Sequence, residues 1–167
     1  YDAQLADVTA ALDRLLPQNG FPEWSMEATY SYNYASDDMS WYNTDQAYYL
    51  SRDGAYVGSI TIYADTATDD LHGIGAYSSN EEAFYQIVDV LEAAFQKFGY
   101  LDTDLSGQEV YQELINTEDM IVSKTDDSVN GFTTAYGPEI FASKESPSGD
   151  DFYSIQMYAP GYYTSVA

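Results

Sequence analysis

The run Asp102-Thr103-Asp104-Leu105-Ser106-Gly107-Gln108-Glu109-Val110-Tyr111-Gln112-Glu113 carries the sharpest local chemistry in this chain. It sets acid or hydroxyl oxygens at its first, third and fifth positions, Gly at the sixth and Glu at the twelfth. That spacing suits a calcium loop between two helices. The Gly permits a sharp turn and the last Glu binds through both carboxylate oxygens. Asp102, Asp104, Ser106 and Glu113 would be the ligands. Three features depart from the pattern: Glu109 replaces an aliphatic residue, Gly99-Tyr100-Leu101 interrupts the incoming helix, and no second loop is present to pair with it. The plainer alternative has Ser106 and Glu109 forming a capping box for the following helix, with Asp102 and Asp104 as solvated turn residues.

Other chemistry is thinner. His72 is the single histidine and the chain has no cysteine, so a zinc site lacks ligands. No G-x-S-x-G elbow supplies a nucleophile for a triad through His72, and Gly73-Ile74-Gly75 lacks the third Gly and the Lys of a phosphate loop. The acidic pairs Asp37-Asp38, Asp69-Asp70, Asp126-Asp127 and Asp150-Asp151 fall in expected turns, where Asp bonds its own backbone. Two carboxylates held across a sugar could hydrolyse a glycoside, but the sequence does not single out a pair. Aromatic residues offer binding instead. Tyr30, Tyr32 and Tyr34 alternate on one strand face with Met26 and Ala28, which is expected to pack inward. Trp41 and Tyr42 are expected to be the exposed pair that meets a ligand or partner.

The elements that must position these residues follow from periodicity. Ala83, Phe84, Ile87, Val88, Leu91, Ala94, Phe95 and Phe98 recur every three or four residues, an amphipathic helix over 80–98. Ser79 and Glu82 suit a capping box for it, and Gly99 a left-handed end. A first helix over 3–16 has Leu5, Val8, Ala11, Leu12, Leu15 and Leu16 on one stripe, Asp2 as N-cap, and Pro17 and Gly20 at its end. Strands are expected over 26–34, 46–51, 55–64 and 71–78. Asp53-Gly54 is a hairpin signal, and Gly73 and Gly75 mark a close backbone approach or a bulge. After a short helix over 105–116 come strands over 120–124, 132–136, 139–144 and 152–159, with Asn130-Gly131 as a second hairpin signal.

The order of a helix and then four strands thus occurs twice, and Ser59–Ala64 resembles Ser154–Ala159. This is similar in outline to secreted bacterial inhibitors built from two helix-plus-four-strand repeats, such as the β-lactamase inhibitor proteins. Those carry cysteines, this chain has none, and no motif of theirs carries over.

Composition sets the remaining limits. At 167 residues and 45% hydrophobic, the chain can bury a core as a single domain over 1–167, or as two fused repeats over 1–79 and 80–167. Acids outnumber bases 28 to 5, a net charge of −23. Phosphate backbones are bound by neutralising them with Lys and Arg, so nucleic acid is excluded as a partner, and an anionic membrane surface is disfavoured. No run is apolar enough for membrane insertion. Tyrosines in number without cysteine, and a start at Tyr1 without Met, suggest a trimmed secreted or lipid-anchored protein. The expected fold is α+β, with antiparallel strands in one or two sheets covered by helices. The expected function is a non-enzymatic extracytoplasmic binding or interaction module with a protein or carbohydrate partner. The alternatives are a small secreted carbohydrate-active enzyme using paired carboxylates and a calcium-dependent structural module.

Overall fold

The computed structural model describes residues 4–32, 42–65, 68–97, 106, 108–109, 111–112, 121–124, 128–133, 139–145 and 151–158. Two long helices among them, α1 (Leu5–Gln18) and α2 (Glu81–Lys97), alternate with strands β1 (Glu23–Tyr32), β2 (Tyr42–Arg52), β3 (Ala55–Asp65), β4 (Leu71–Ser78), β5 (Ile121–Lys124), β6 (Ser128–Thr133), β7 (Glu139–Glu145) and β8 (Phe152–Tyr158). The fold is α+β. All the described strands pair antiparallel in one sheet of order β1-β2-β3-β4-β8-β7-β6-β5. Two four-strand meanders therefore meet through their last strands, β4 and β8. The similar stretches beginning at Ser59 and Ser154 fall on β3 and β8, the two strands that flank β4, and so not on corresponding members of the two meanders. Their likeness fits a shared environment: each runs beside β4 with alternate side chains in the core.

One face of the sheet takes both helices. Leu5, Val8, Leu12 and Leu16 of α1 and Ala83, Phe84, Ile87, Val88 and Leu91 of α2 form one buried cluster with Tyr48, Leu50, Ile60, Ile62, Ile74, Ala76, Ile155 and Met157. Val90 and Glu92 are buried as well, so α2 is covered on a wider arc than its stripe implies. Gly58 explains how closely α2 lies on β3. A Cβ there would sit 2.7 Å from Ile87 Cδ1 and 2.8 Å from the Tyr77 carbonyl oxygen.

The ends of the elements correct several expectations. Asn80, one residue past Ser79, caps α2: its Oδ1 accepts the Ala83 N–H at 2.9 Å. Ser78 holds that cap in place, its Oγ accepting the Asn80 N–H and donating to the Val57 carbonyl. The start of α1 is fixed by tertiary bonds, with Leu5 N–H donating to the Asp69 carbonyl and Gln4 bridging to Asp70; Asp2 lies outside the described residues. Pro17 sits inside the last turn of α1 without ending it, because the helix closes further on. Gly20 at φ 87° lets Phe21 N–H reach the Leu16 carbonyl and Gly20 N–H the Pro17 carbonyl, a Schellman end with Phe21 and Leu16 both buried. Asp53 (φ 53°) and Gly54 (φ 80°) form the expected two-residue turn of the β2–β3 hairpin. Asn130-Gly131 does not turn; both residues lie within β6, paired with β5 and β7.

Candidate functional site: the open face of the sheet

Strand alternation sends every second side chain to the face opposite the helices. The pairing register lines up Tyr49, Ser59, Tyr77 and Ser154 across β2, β3, β4 and β8. The next row is Ala47, Thr61, Gly75 and Gln156, and the next Asp45, Tyr63, Gly73 and Tyr158. The two glycines alternate with tyrosines for a packing reason. A Cβ on Gly73 would lie 2.7 Å from Tyr158 Cδ1 and 2.9 Å from the Met157 carbonyl, and one on Gly75 would lie 3.3 Å from the Tyr77 hydroxyl. The aromatic side chains lie down over the bare backbone of β4, covering the strand that glycine leaves thin.

Hydrogen bonds then fix the rings. Gln156 Nε2 donates to the Tyr77 hydroxyl at 2.6 Å, the Tyr158 hydroxyl donates to Gln156 Oε1 at 3.0 Å, and the Tyr63 and Tyr77 hydroxyls share a bond at 3.2 Å. Tyr63 stacks on Tyr158 with centroids 6.3 Å apart, and Tyr77 on Phe152 at 6.4 Å. Tyr49 (39% exposed) and Phe152 (40% exposed) reach solvent at the border of this patch. Burial, followed by Tyr77, Tyr158 and Asp45, pushes the Tyr63 phenol well above its ordinary range, so it stays a neutral donor and acceptor. The cluster can stack, donate and accept.

On the helix side of the sheet two carboxylates flank one hydroxyl. The Tyr153 hydroxyl stands between Asp151 Oδ2 at 3.0 Å and Glu81 Oε2 at 3.3 Å. Glu81 also accepts from the Tyr85 hydroxyl at 3.1 Å. These bonds join the start of α2 to β8, beside the stacked rings of Phe84 and Tyr153 and the edge-on ring of Tyr111.

The residues singled out from sequence fare differently. Trp41 lies outside the described residues; Tyr42 opens β2 opposite Tyr32, and its side chain lies outside them too. Asp102, Asp104 and Glu113 also lie outside. Ser106 Oγ accepts the Glu109 N–H at 3.2 Å, the bond of a helix cap. Among the described residues no three His, Asp or Glu side chains gather as a metal ion requires. His72 stands 4.0 Å from Asp65; burial lowers its pKa, with Asp65 and Asp70 opposing that shift. Of the first strand's face expected to pack inward, Tyr30, Tyr32 and Tyr34 have side chains outside the described residues, and Met26 and Ala28 do not pack inward. Trp24 packs on the core, but Met26 is 54% exposed and Ala28 exposed, because β1 is the edge strand and α1 leans toward α2. Sequence reasoning passed over Tyr63, Tyr77, Phe152 and Tyr158. The available signal was Gly73-x-Gly75 within a strand, set among Tyr-bearing strands of strict alternation.

No protein-family model matches this chain, and no curated protein or solved structure is significantly similar to it.

Proposed function

We propose that this chain is a non-enzymatic extracytoplasmic binding module that presents the open face of its sheet to a protein or carbohydrate partner. The observation that carries this reading is the hydrogen-bonded array of Tyr63, Tyr77, Gln156 and Tyr158, flanked by Phe152 and Tyr49. Rings already held in place lose little conformational freedom on binding, so stacking area is not offset by ordering cost. Thr61 and Ser154, half-buried between them, add neutral hydroxyls of the kind that hydrogen-bond to sugar hydroxyls or a peptide backbone. The absence of cysteine and the scarcity of bases agree with an extracytoplasmic address.

The carbohydrate-active alternative has its best footing at Glu81 and Asp151 around Tyr153. Calorimetric titration with soluble glycan hexaoses, with reducing ends measured on the same samples, separates the two readings. Saturable binding without sugar release is expected, weakened about tenfold or more in a Tyr77→Ala, Phe152→Ala double variant, the loss typical of central aromatic contacts. Release of reducing ends that Asp151→Asn abolishes would put the enzyme first. Binding that survives the double variant would move the partner off this face.

A further inference from the structure

A concave site lies on the other side of the sheet. Leu5, Thr9 and Asp13 stand four residues apart along one ridge of α1, and that ridge faces the first two strands across an open trench of about 490 Å³. Its floor is made by alternate residues of β1 and β2: Trp24 and Met26 on one, Gln46 and Tyr48 on the other, with Met26 paired opposite Tyr48. The trench exists because α1 packs toward α2 and leaves the edge strand uncovered, which is why Met26 remains exposed. Its size is that of pockets that take small organic molecules.

Three observations point to the occupant's chemistry. The ring systems of Trp24 and Tyr48, with centroids 6.5 Å apart and inclined by 46°, offer apolar and π surface. Among the described residues, the charged ones lining the trench are Asp13 and Asp69, with no Lys, Arg or His beside them. Gln46 Oε1 is buried with no hydrogen-bond partner among the described residues. A buried amide oxygen left without a donor is costly, and a turn of the Gln46 side chain that brings this oxygen to a ligand N–H in the trench would remove that cost. The Tyr48 phenol is raised to about 12, by burial first and then by the negative charge of Asp13, which places that carboxylate's field over the trench. A net charge of −23 adds long-range attraction for a cation.

We propose that the trench between α1 and the β1–β2 edge binds a small organic ammonium, its apolar body against Trp24, Met26 and Tyr48 and its N–H donors toward Gln46 and Asp13. The site is separate from the open tyrosine face and does not depend on what that face binds.

The test uses the full chain and three probes of nearly one shape: 2-phenylethylammonium, 2-phenylethanol and 3-phenylpropionate. Binding is followed by calorimetry and tryptophan fluorescence. The ammonium is expected to bind one-to-one and at least about tenfold more tightly than the alcohol, with the carboxylate weakest. Gln46→Leu and Asp13→Asn are each expected to weaken it about fivefold or more, the effect of losing one hydrogen bond to a charged group. Met26→Arg, at an exposed position, places the protein's own cation in the trench and is expected to abolish binding while the melt is retained. Equal binding of the three probes, preference for the carboxylate, or ammonium binding that persists in Met26→Arg would each overturn the proposal. So would the absence of ammonium binding at millimolar concentration.

Discussion

Glu92 sits on α2 at 8% exposure, and its carboxyl is pushed up to about 7, first by burial and then by Asp89 and Glu109. In the unfolded chain it ionises near the ordinary value of 4.5. The folded protein therefore holds a proton that the unfolded chain has released. The stability tied to that proton is fully present below about pH 4.5 and is lost as pH rises through about 7. Glu92→Gln keeps the shape and removes the titration. Relative to wild type it is expected to gain at least about 1 kcal/mol at pH 8, or about 2–4 °C in a melt, and little at pH 4. Equal gains at both pH values would show that Glu92 does not carry this dependence. Ser106 makes a second prediction at the same scale. Its hydroxyl oxygen already serves the Glu109 N–H, so a calcium ion at Asp102, Asp104, Ser106 and Glu113 would compete with a helix cap. Melts in chelator and in excess calcium are expected to coincide. A calcium-dependent rise would promote that loop to a site, because a ligand of the folded state must stabilise it.

At the scale of elements, stability rests on how α2 meets the sheet. Leu91 is fully buried, and Leu91→Ala is expected to cost about 2–5 kcal/mol in denaturant unfolding through the cavity it leaves. Gly58→Ala tests the opposite fault. Its new methyl would meet Ile87 and the Tyr77 carbonyl below 3 Å, and backbone cannot yield as a side-chain tip can. A loss of about 1–3 kcal/mol is expected from the overpacking, partly restored by Ile87→Val, which removes the clashing Cδ1. A neutral Gly58→Ala would mean that α2 rides higher on β3 than described. Arg52 joins three elements at once. It donates to the Gly20 carbonyl beyond α1 and to Gln86 of α2, and its guanidinium lies 4.6 Å from the Phe21 ring centroid.

For the whole molecule, the dominant fact is 28 acids against 5 bases. Like charges repel most in the compact state, and salt screens them over about 10 Å at 0.1 M. Raising sodium chloride from about 0.05 to 0.5 M is expected to raise the melting temperature by several degrees, with the ammonium affinity of the trench falling over the same range. A flat melting temperature would mean that the carboxylates are too far apart for their repulsion to count. The two faces of the sheet divide the work. One packs against α1 and α2 except along the trench at its β1–β2 edge, and the other brings Tyr49 and Phe152 to the surface beside the half-buried Tyr63, Tyr77 and Tyr158.

Local pattern alone determined the two helices, seven of the eight strands nearly in place, the Asp53-Gly54 turn and the α+β class, because period and turn chemistry act over a few residues; β6 runs over Ser128–Thr133 where 132–136 was expected, since Asn130-Gly131 pairs within the sheet instead of turning. The exact caps slipped by a residue where a neighbour, Asn80 instead of Ser79, had the better reach to an orphan N–H. What only the tertiary structure decided is which strands are neighbours and what covers each face. Tyr63, Tyr77 and Tyr158 become one cluster because β3, β4 and β8 lie side by side, although β8 stands some 80 residues along the chain from β4. The trench by Gln46 exists because α1 leans away from an edge strand. Both sites arise from contacts between distant segments, and no spacing along the chain encodes such contacts.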